Sequence, residues 1–275
     1  MFRYSHDGRH LAIAGVGLWL LDTDRRVLTR VPIGSDSVHA VVVQPVWSPG
    51  DSALVFAFGA SYWRFSLRLG TATRWFQPPT GRRGLSPDDW SPDGRWIVMG
   101  AQAGGAAAHS EIWAYDTSTN TWVTVVSEPA NVGDARLSPD GRWIAYRSNI
   151  DGSDQIYLRP FMRPGNAVRV SPGAGTVPRW RGDGRELFYT DPTGLIMAVA
   201  IQADGTPGTP SLALPRAVRR YASVLGTTSF NFEPTPDGAG FAYRGPAGRS
   251  SGGLTLVLNW PQLLRRDGLN TKPGR

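Results

Sequence analysis

Ser91-Pro92-Asp93-Gly94-Arg95-Trp96 returns as Ser138-Pro139-Asp140-Gly141-Arg142-Trp143. Weaker copies are Ser5-His6-Asp7-Gly8-Arg9-His10, Ser48-Pro49-Gly50-Asp51-Ser52, Arg181-Gly182-Asp183-Gly184-Arg185-Glu186 and Thr235-Pro236-Asp237-Gly238-Ala239. Their third residues stand at 7, 50, 93, 140, 183 and 237, at intervals of 43, 43, 47, 43 and 54 residues. Each copy is a turn with a mechanism. Proline presets φ at the second position of a type I turn, Asp tolerates the third, and Gly accepts the left-handed conformation that closes it. Such a turn closes a short hairpin.

The flanks are strands. Before the turns stand Pro45-Val46-Trp47, Asp88-Asp89-Trp90, Ala135-Arg136-Leu137 and Pro178-Arg179-Trp180. After them come Leu54-Val55-Phe56-Ala57-Phe58, Trp96-Ile97-Val98-Met99, Trp143-Ile144-Ala145-Tyr146 and Glu186-Leu187-Phe188-Tyr189, apolar almost throughout, as strands buried on both faces are. A third strand follows in each unit, for example Ile112-Trp113-Ala114-Tyr115-Asp116, and then a shorter, more polar fourth such as Trp122-Val123-Thr124-Val125-Val126. Four short strands repeated at this period predict an all-β chain, a β-propeller of six four-stranded antiparallel blades. The blades are expected near 1–34, 35–79, 80–127, 128–172, 173–222 and 223–262, one propeller domain over 1–262, with a polar tail at 263–275. The last unit shows only three strands and is expected to be incomplete.

The phrase Trp90-Ser91-Pro92-Asp93-Gly94-Arg95-Trp96-Ile97, followed by Ile112-Trp113 and Asp116, resembles the WD-repeat-like blade of the TolB-like propeller family, over nearly the whole chain. The closing run Leu254-Thr255-Leu256-Val257-Leu258-Asn259-Trp260 resembles the last strand of bacterial propellers that follow kinase or regulatory domains. The resemblance implies a six-bladed, mostly non-enzymatic module that binds or senses a partner outside the cytoplasm. The same blade also occurs in the propeller that gates prolyl-oligopeptidase-type peptidases. With no strand left to complete the last blade, the chain is expected to be part of a longer protein. Its compartment would then be periplasmic or otherwise extracytoplasmic; read alone, with no apolar segment near Met1, it would be cytoplasmic.

Composition narrows the classes. Cysteine is absent, which removes disulfide and thiol chemistry. No apolar run approaches membrane-spanning length. The net charge of +7 favours anionic partners. Lys272 is the sole lysine, however, and the arginines are scattered, so nucleic acid is not an expected partner.

His6 and His10 are four apart but flank a turn, where decay of the repeat explains them better than a metal site. Asn149-Ile150-Asp151-Gly152-Ser153-Asp154 has its glycine too early for a calcium loop and reaches Pro160 where a bidentate Glu belongs. Gly84-Leu85-Ser86-Pro87-Asp88 lacks the second glycine of a nucleophile elbow. The repeated tryptophans Trp47, Trp90, Trp96, Trp143 and Trp180 are expected to pack between blades. No cofactor and no metal are expected, and the chain is read as no enzyme.

The register points to a site. Immediately before the Trp position stand Arg3, Val46, Asp89, Arg136, Arg179 and Glu233, five of them charged and all expected near the central channel. Either they grip a partner's tail or they pair with one another. Rim loops add His39, Arg82, Arg83, His109, Arg147 and Arg244. These residues are expected to bind a protein or peptide at the mouth where the innermost strands begin, in a monomer. Truncating Arg136 or Arg179 is then expected to weaken capture with the melting temperature nearly unchanged. The alternative is an enzyme-associated propeller, a peptidase gate or a lactonase-like metal hydrolase.

Overall fold

The computed structural model describes residues 1–34, 41–79, 83–102, 109–214, 221–222, 228–229, 232–243 and 255–257. All regular structure among them is antiparallel strand. The first blade comprises β1 (Phe2–Tyr4), β2 (His10–Gly15), β3 (Gly17–Asp22) and β4 (Val27–Arg30). The second comprises β5 (Val42–Trp47), β6 (Ala53–Phe58), β7 (Ser61–Ser66) and β8 (Thr71–Phe76). The third comprises β9 (Arg83–Trp90), β10 (Trp96–Gln102), β11 (Ser110–Asp116) and β12 (Thr121–Val126). The fourth comprises β13 (Val132–Leu137), β14 (Trp143–Ser148), β15 (Gln155–Pro160) and β16 (Val168–Arg169). The fifth comprises β17 (Thr176–Trp180), β18 (Glu186–Thr190), β19 (Ile196–Ala200) and β20 (Ser211–Leu214). A two-stranded ribbon follows, β21 (Tyr221–Ala222) with β22 (Thr228–Ser229). The last sheet is β23 (Phe232–Pro234), β24 (Phe241–Tyr243) and β25 (Thr255–Val257). Complete blades therefore number five, not six, and the last sheet is partial among the described residues.

The innermost strands form a closed circuit. β1 stands beside β5, β5 beside β9, β9 beside β13, β13 beside β17, β17 beside β23, and β23 beside β1 again. The core is divided accordingly. Each apolar cluster straddles one seam between neighbouring sheets: Leu18 with Trp47 and Phe56, Val55 with Met99, Val98 with Tyr146, Ile156 with Leu187, Phe188 with Phe241, and Tyr4 with Ala242. No sheet can bury its own apolar faces alone, so each blade depends on its neighbours. The second strands run buried almost without alternation, as in β6, where Ala53, Leu54, Val55 and Phe56 are all inaccessible. Of the outermost strands, β4 and β16 are exposed throughout, while β8, β12 and β20 start exposed and end buried.

The repeated turn has one internal wiring. In the third blade the Gly94 N–H donates to the Ser91 carbonyl at 2.8 Å, with Gly94 at φ 75°. The Ser91 hydroxyl donates to Asp93 at 2.5 Å and accepts from the Trp96 N–H at 2.8 Å. The turns at Ser138, Ser5 and Thr235 repeat this pattern. The turns also touch one another. Pro49 packs against Gly94, Pro92 against Gly141, Pro139 against Gly184 and Pro236 against Gly8. In the first blade His6 replaces proline, and its ring and backbone reach Asp51 of the second at 2.7 and 2.9 Å. In the fifth, Gly182 replaces proline because the Pro236 carbonyl would lie 2.1 Å from a Cβ there. Gly182→Ala must push two blades apart. It is expected to lower stability by about 1–3 kcal/mol, as overpacking does, read as a lower denaturation midpoint at unchanged m-value. A midpoint equal to wild type would mean that this contact is slack.

Candidate functional site

Four of the innermost strands carry an extra residue just before the ring position, and β9 has a second between Arg83 and Ser86. Pairing skips between Val43 and Val46, between Pro87 and Asp89, between Gly133 and Arg136, and between Thr176 and Arg179. Gln44, Asp134 and Val177 reach these bulges in the left-handed region, at φ 41°, 54° and 57°. A β-branched residue adopts that region only under constraint. A bulge leaves ladder groups unpaired and re-aims the side chain beyond it. The residue beyond it is the ring residue identified from the register: Val46, Asp89, Arg136 or Arg179.

The five charged ring residues meet in a belt across the channel. Arg3 Nη2 lies 2.7 Å from Asp89 Oδ1, and Arg3 Nε lies 3.7 Å from Glu233 Oε1. Arg179 Nε donates to Glu233 Oε2 at 2.8 Å. The arginines also cap the carbonyls beside the bulges. Arg136 Nη1 donates to the Asp88 and Ala135 carbonyls at 2.6 and 2.7 Å, Arg3 Nη1 to the Asp88 carbonyl at 2.7 Å, and Arg179 Nη1 to the Pro178 carbonyl at 2.8 Å. At three of the four bulges, those of the third, fourth and fifth blades, an arginine closes a carbonyl beside the irregularity. Of the two sequence readings of this ring, mutual pairing is the one the distances favour.

The sequence reading missed one member, Asp88. It is the extra residue of its bulge and balances the belt at three arginines to three carboxylates. Its carboxyl lies 3.7 Å from Arg136 and accepts only a long bond, 3.3 Å, from the Ala135 N–H. Burial pushes its pKa up to about 7, against the opposing pull of Arg136. Burial, then repulsion from Arg179 and Arg3, lowers that of Arg136. Arg136 is 5% exposed, and its Nε has no hydrogen-bond partner among the described residues.

The raised pKa fixes a sign. Folded Asp88 binds a proton that the unfolded chain has released above about pH 4, so its contribution to stability is fully present below that pH and is lost as pH rises through about 7. Asp134, Arg136 and Arg179 are the charges that act on it. The melting temperature of wild type relative to Asp88→Asn is expected to fall between about pH 5 and pH 8. Parallel melting curves across that range would show that Asp88 does not titrate there.

The belt separates two spaces. On the side where the inner strands begin lies a cavity of about 20 Å³, with Phe2, Gln44, Pro45 and Pro87 in its wall. On the side of the repeated turns lies one of about 430 Å³. The turns line it with Pro49, Pro92, Pro139 and Pro236. Tyr4, Trp90 and Trp180 form part of its wall, and Arg3, Asp89, Arg136, Arg179 and Glu233 its floor. Among the described residues the roomier mouth is thus opposite the one expected from sequence. His109 lines neither cavity. Arg147 stands apart, held by Asp134 at 3.1 Å and Asp154 at 2.7 Å. His39, Arg82 and Arg244 lie outside the described residues, as does the side chain of Arg83. Among the described residues no three His, Asp or Glu side chains are grouped to hold a metal.

No family model matches the chain. The fold has well-defined counterparts. TolB from Acinetobacter baumannii superposes with a TM-score of 0.67 at 18% identity, over 94% of this chain and 60% of that one. The chain shares the β-propeller fold of TolB. An oligogalacturonate lyase in complex with manganese superposes at 0.60 and 15% identity, over 94% and 73% of the two chains. A prolyl endopeptidase superposes at 0.56 and 12% identity, over 94% and 42%. In sequence, the uncharacterized peptidase YuxL of Bacillus subtilis (strain 168) is 28% identical over 162 residues, 55% of this chain and 22% of that protein. The chain thus spans about a fifth of the curated relative it matches. These likenesses correct the sequence reading of the chain as no enzyme: a relative named as a peptidase, and enzymes sharing the propeller, point towards an enzyme context.

Proposed function

We propose that this propeller captures an extended peptide segment in its turn-side mouth. The observation that carries the reading is the 430 Å³ cavity walled by turn prolines and aromatics and floored by the charged belt. Its volume is of the size that accepts a small ligand or a few residues of chain. Prolines and aromatic rings give rigid apolar walls, while the belt offers polar contacts. The test is a titration of isotope-labelled protein with a pool of short unstructured peptides. The indole N–H resonances of Trp90 and Trp180 are expected to shift. Shifts confined to the opposite mouth, or none at all, would overturn the reading.

The peptidase-named relative favours a second, compatible role in a longer protein, in which the mouth screens peptides on their way to a catalytic domain. In that case Pro139→Trp, which narrows the mouth, slows hydrolysis of long peptides more than that of a dipeptide amide by the full-length protein. Equal slowing of both substrates would count against a gate.

A further inference from the structure

The belt is balanced in number but not in local charge. Asp89 is saturated, accepting from Arg3 and from the Trp90 and Leu137 N–H groups. Glu233 holds Arg179 at 2.8 Å and Arg3 at 3.7 Å. Two arginines therefore have engaged carboxylates. Arg136 is held less closely, because its ion pair with Asp88 spans 3.7 Å and includes no hydrogen bond to the carboxyl group. Arg136 spends one nitrogen on two backbone carbonyls, and its Nε makes no hydrogen bond among the described residues, although its side chain is 6% exposed. A buried guanidinium N–H without an acceptor is costly, and an ionised acceptor makes the strongest partner for it. Arg136 lines both cavities, as Arg3, Arg179 and Glu233 do, and so borders the turn-side mouth.

We propose that the floor of the turn-side mouth is a carboxylate receptor, in which a peptide's carboxylate accepts hydrogen bonds from the Arg136 guanidinium. This rests on the peptide-binding reading above. The raised proton affinity of Asp88 fits the same polarity: with Asp88 protonated the belt carries a net positive charge, and a carboxylate cancels it. An ammonium group would meet the opposite field and find no free acceptor on Asp89. The carboxylate can come from a chain terminus or from an acidic side chain.

The experiment compares three N-acetylated hexapeptides on the native protein by calorimetry: an uncharged sequence with a free C-terminus, the same sequence amidated, and the amide ending in glutamate. A charge-assisted hydrogen bond corresponds to about tenfold or more in affinity. The amide is expected to bind at least that much more weakly than the free acid. Recovery of binding by the glutamate amide assigns the carboxylate to a side chain, and no recovery assigns it to the terminus; both support the receptor. Equal binding of acid and amide overturns the receptor and leaves the peptide reading standing. Failure of all three overturns both. Arg136→Lys keeps the positive charge and removes the guanidinium; once its fold is verified by near-UV circular dichroism, it is expected to lose the preference for the acid. A folded Arg136→Lys that keeps the preference overturns the assignment to Arg136.

Discussion

Arg136→Ala is expected to destabilise the propeller by about 3–5 kcal/mol near neutral pH, the cost of removing one partner from a buried ion pair. The sequence alone suggested a replaceable binding residue, with little effect on melting. Its surroundings say otherwise. Arg136 is 5% exposed, caps the Asp88 and Ala135 carbonyls and stands beside the Asp88 carboxyl. Alanine leaves the Ala135 carbonyl without that donor and Asp88 without its counter-charge. The Asp88 carbonyl keeps Arg3. A buried carboxyl that loses its cation responds by holding its proton more tightly. The penalty is therefore expected to be smaller at about pH 5 than at about pH 8, and Asp88→Asn in the same chain should recover part of it at the higher pH. Denaturant melts of the four chains of this cycle check it. A loss under about 1 kcal/mol at both pH values would show that the belt carries little stability.

Trp47→Ala is expected to cost about 3–5 kcal/mol as well, by a different route. Trp47 is 1% exposed at the seam between the first two blades, packed with Leu18, Ala12 and Phe56. Its indole N–H crosses the seam to the Arg3 carbonyl at 3.0 Å. Truncation opens a cavity where two sheets meet and strips one hydrogen bond from β1, which carries the belt residue Arg3. Trp47→Phe keeps most of the apolar volume and is expected to lose about half as much or less. If both variants melt together, the cost is that of the hydrogen bond and not of the seam. If neither differs from wild type, the seam does not depend on Trp47.

The sequence carried the propeller because its period, turn chemistry and apolar runs are local signals. The ring positions Arg3, Asp89, Arg136, Arg179 and Glu233 were legible for the same reason, being one step before a repeated aromatic. Asp88 was not. A bulge is a slip between two strands, and nothing local in Pro87-Asp88-Asp89 says that both acids will face inward. The equivalent positions hold Gln44-Pro45, Asp134-Ala135 and Val177-Pro178; a proline stands in three of the four bulges, but not at one fixed position and not in the fourth blade. The turn-side mouth was overlooked because each turn explained itself locally. That their prolines line one cavity depends on how six separate sheets are arranged around an axis. The pairing of Arg147 with Asp134, beside the bulge between β13 and β14, and with Asp154 is likewise a matter of placement that no spacing encodes.

The contacts from each turn to the next have a consequence for how such a protein can diversify. The opening is bounded by joints between the second residue of one phrase and the small or turn-forming residue of the next, from Pro49 on Gly94 round to Pro236 on Gly8. None of these residues belongs to a strand. The diameter of the entrance is therefore an adjustable dimension. Exchanging His for Pro, or Pro for Gly, at one joint resizes the aperture by the thickness of a side chain while every sheet keeps its register. The first and fifth blades already carry such exchanges, at His6 and Gly182.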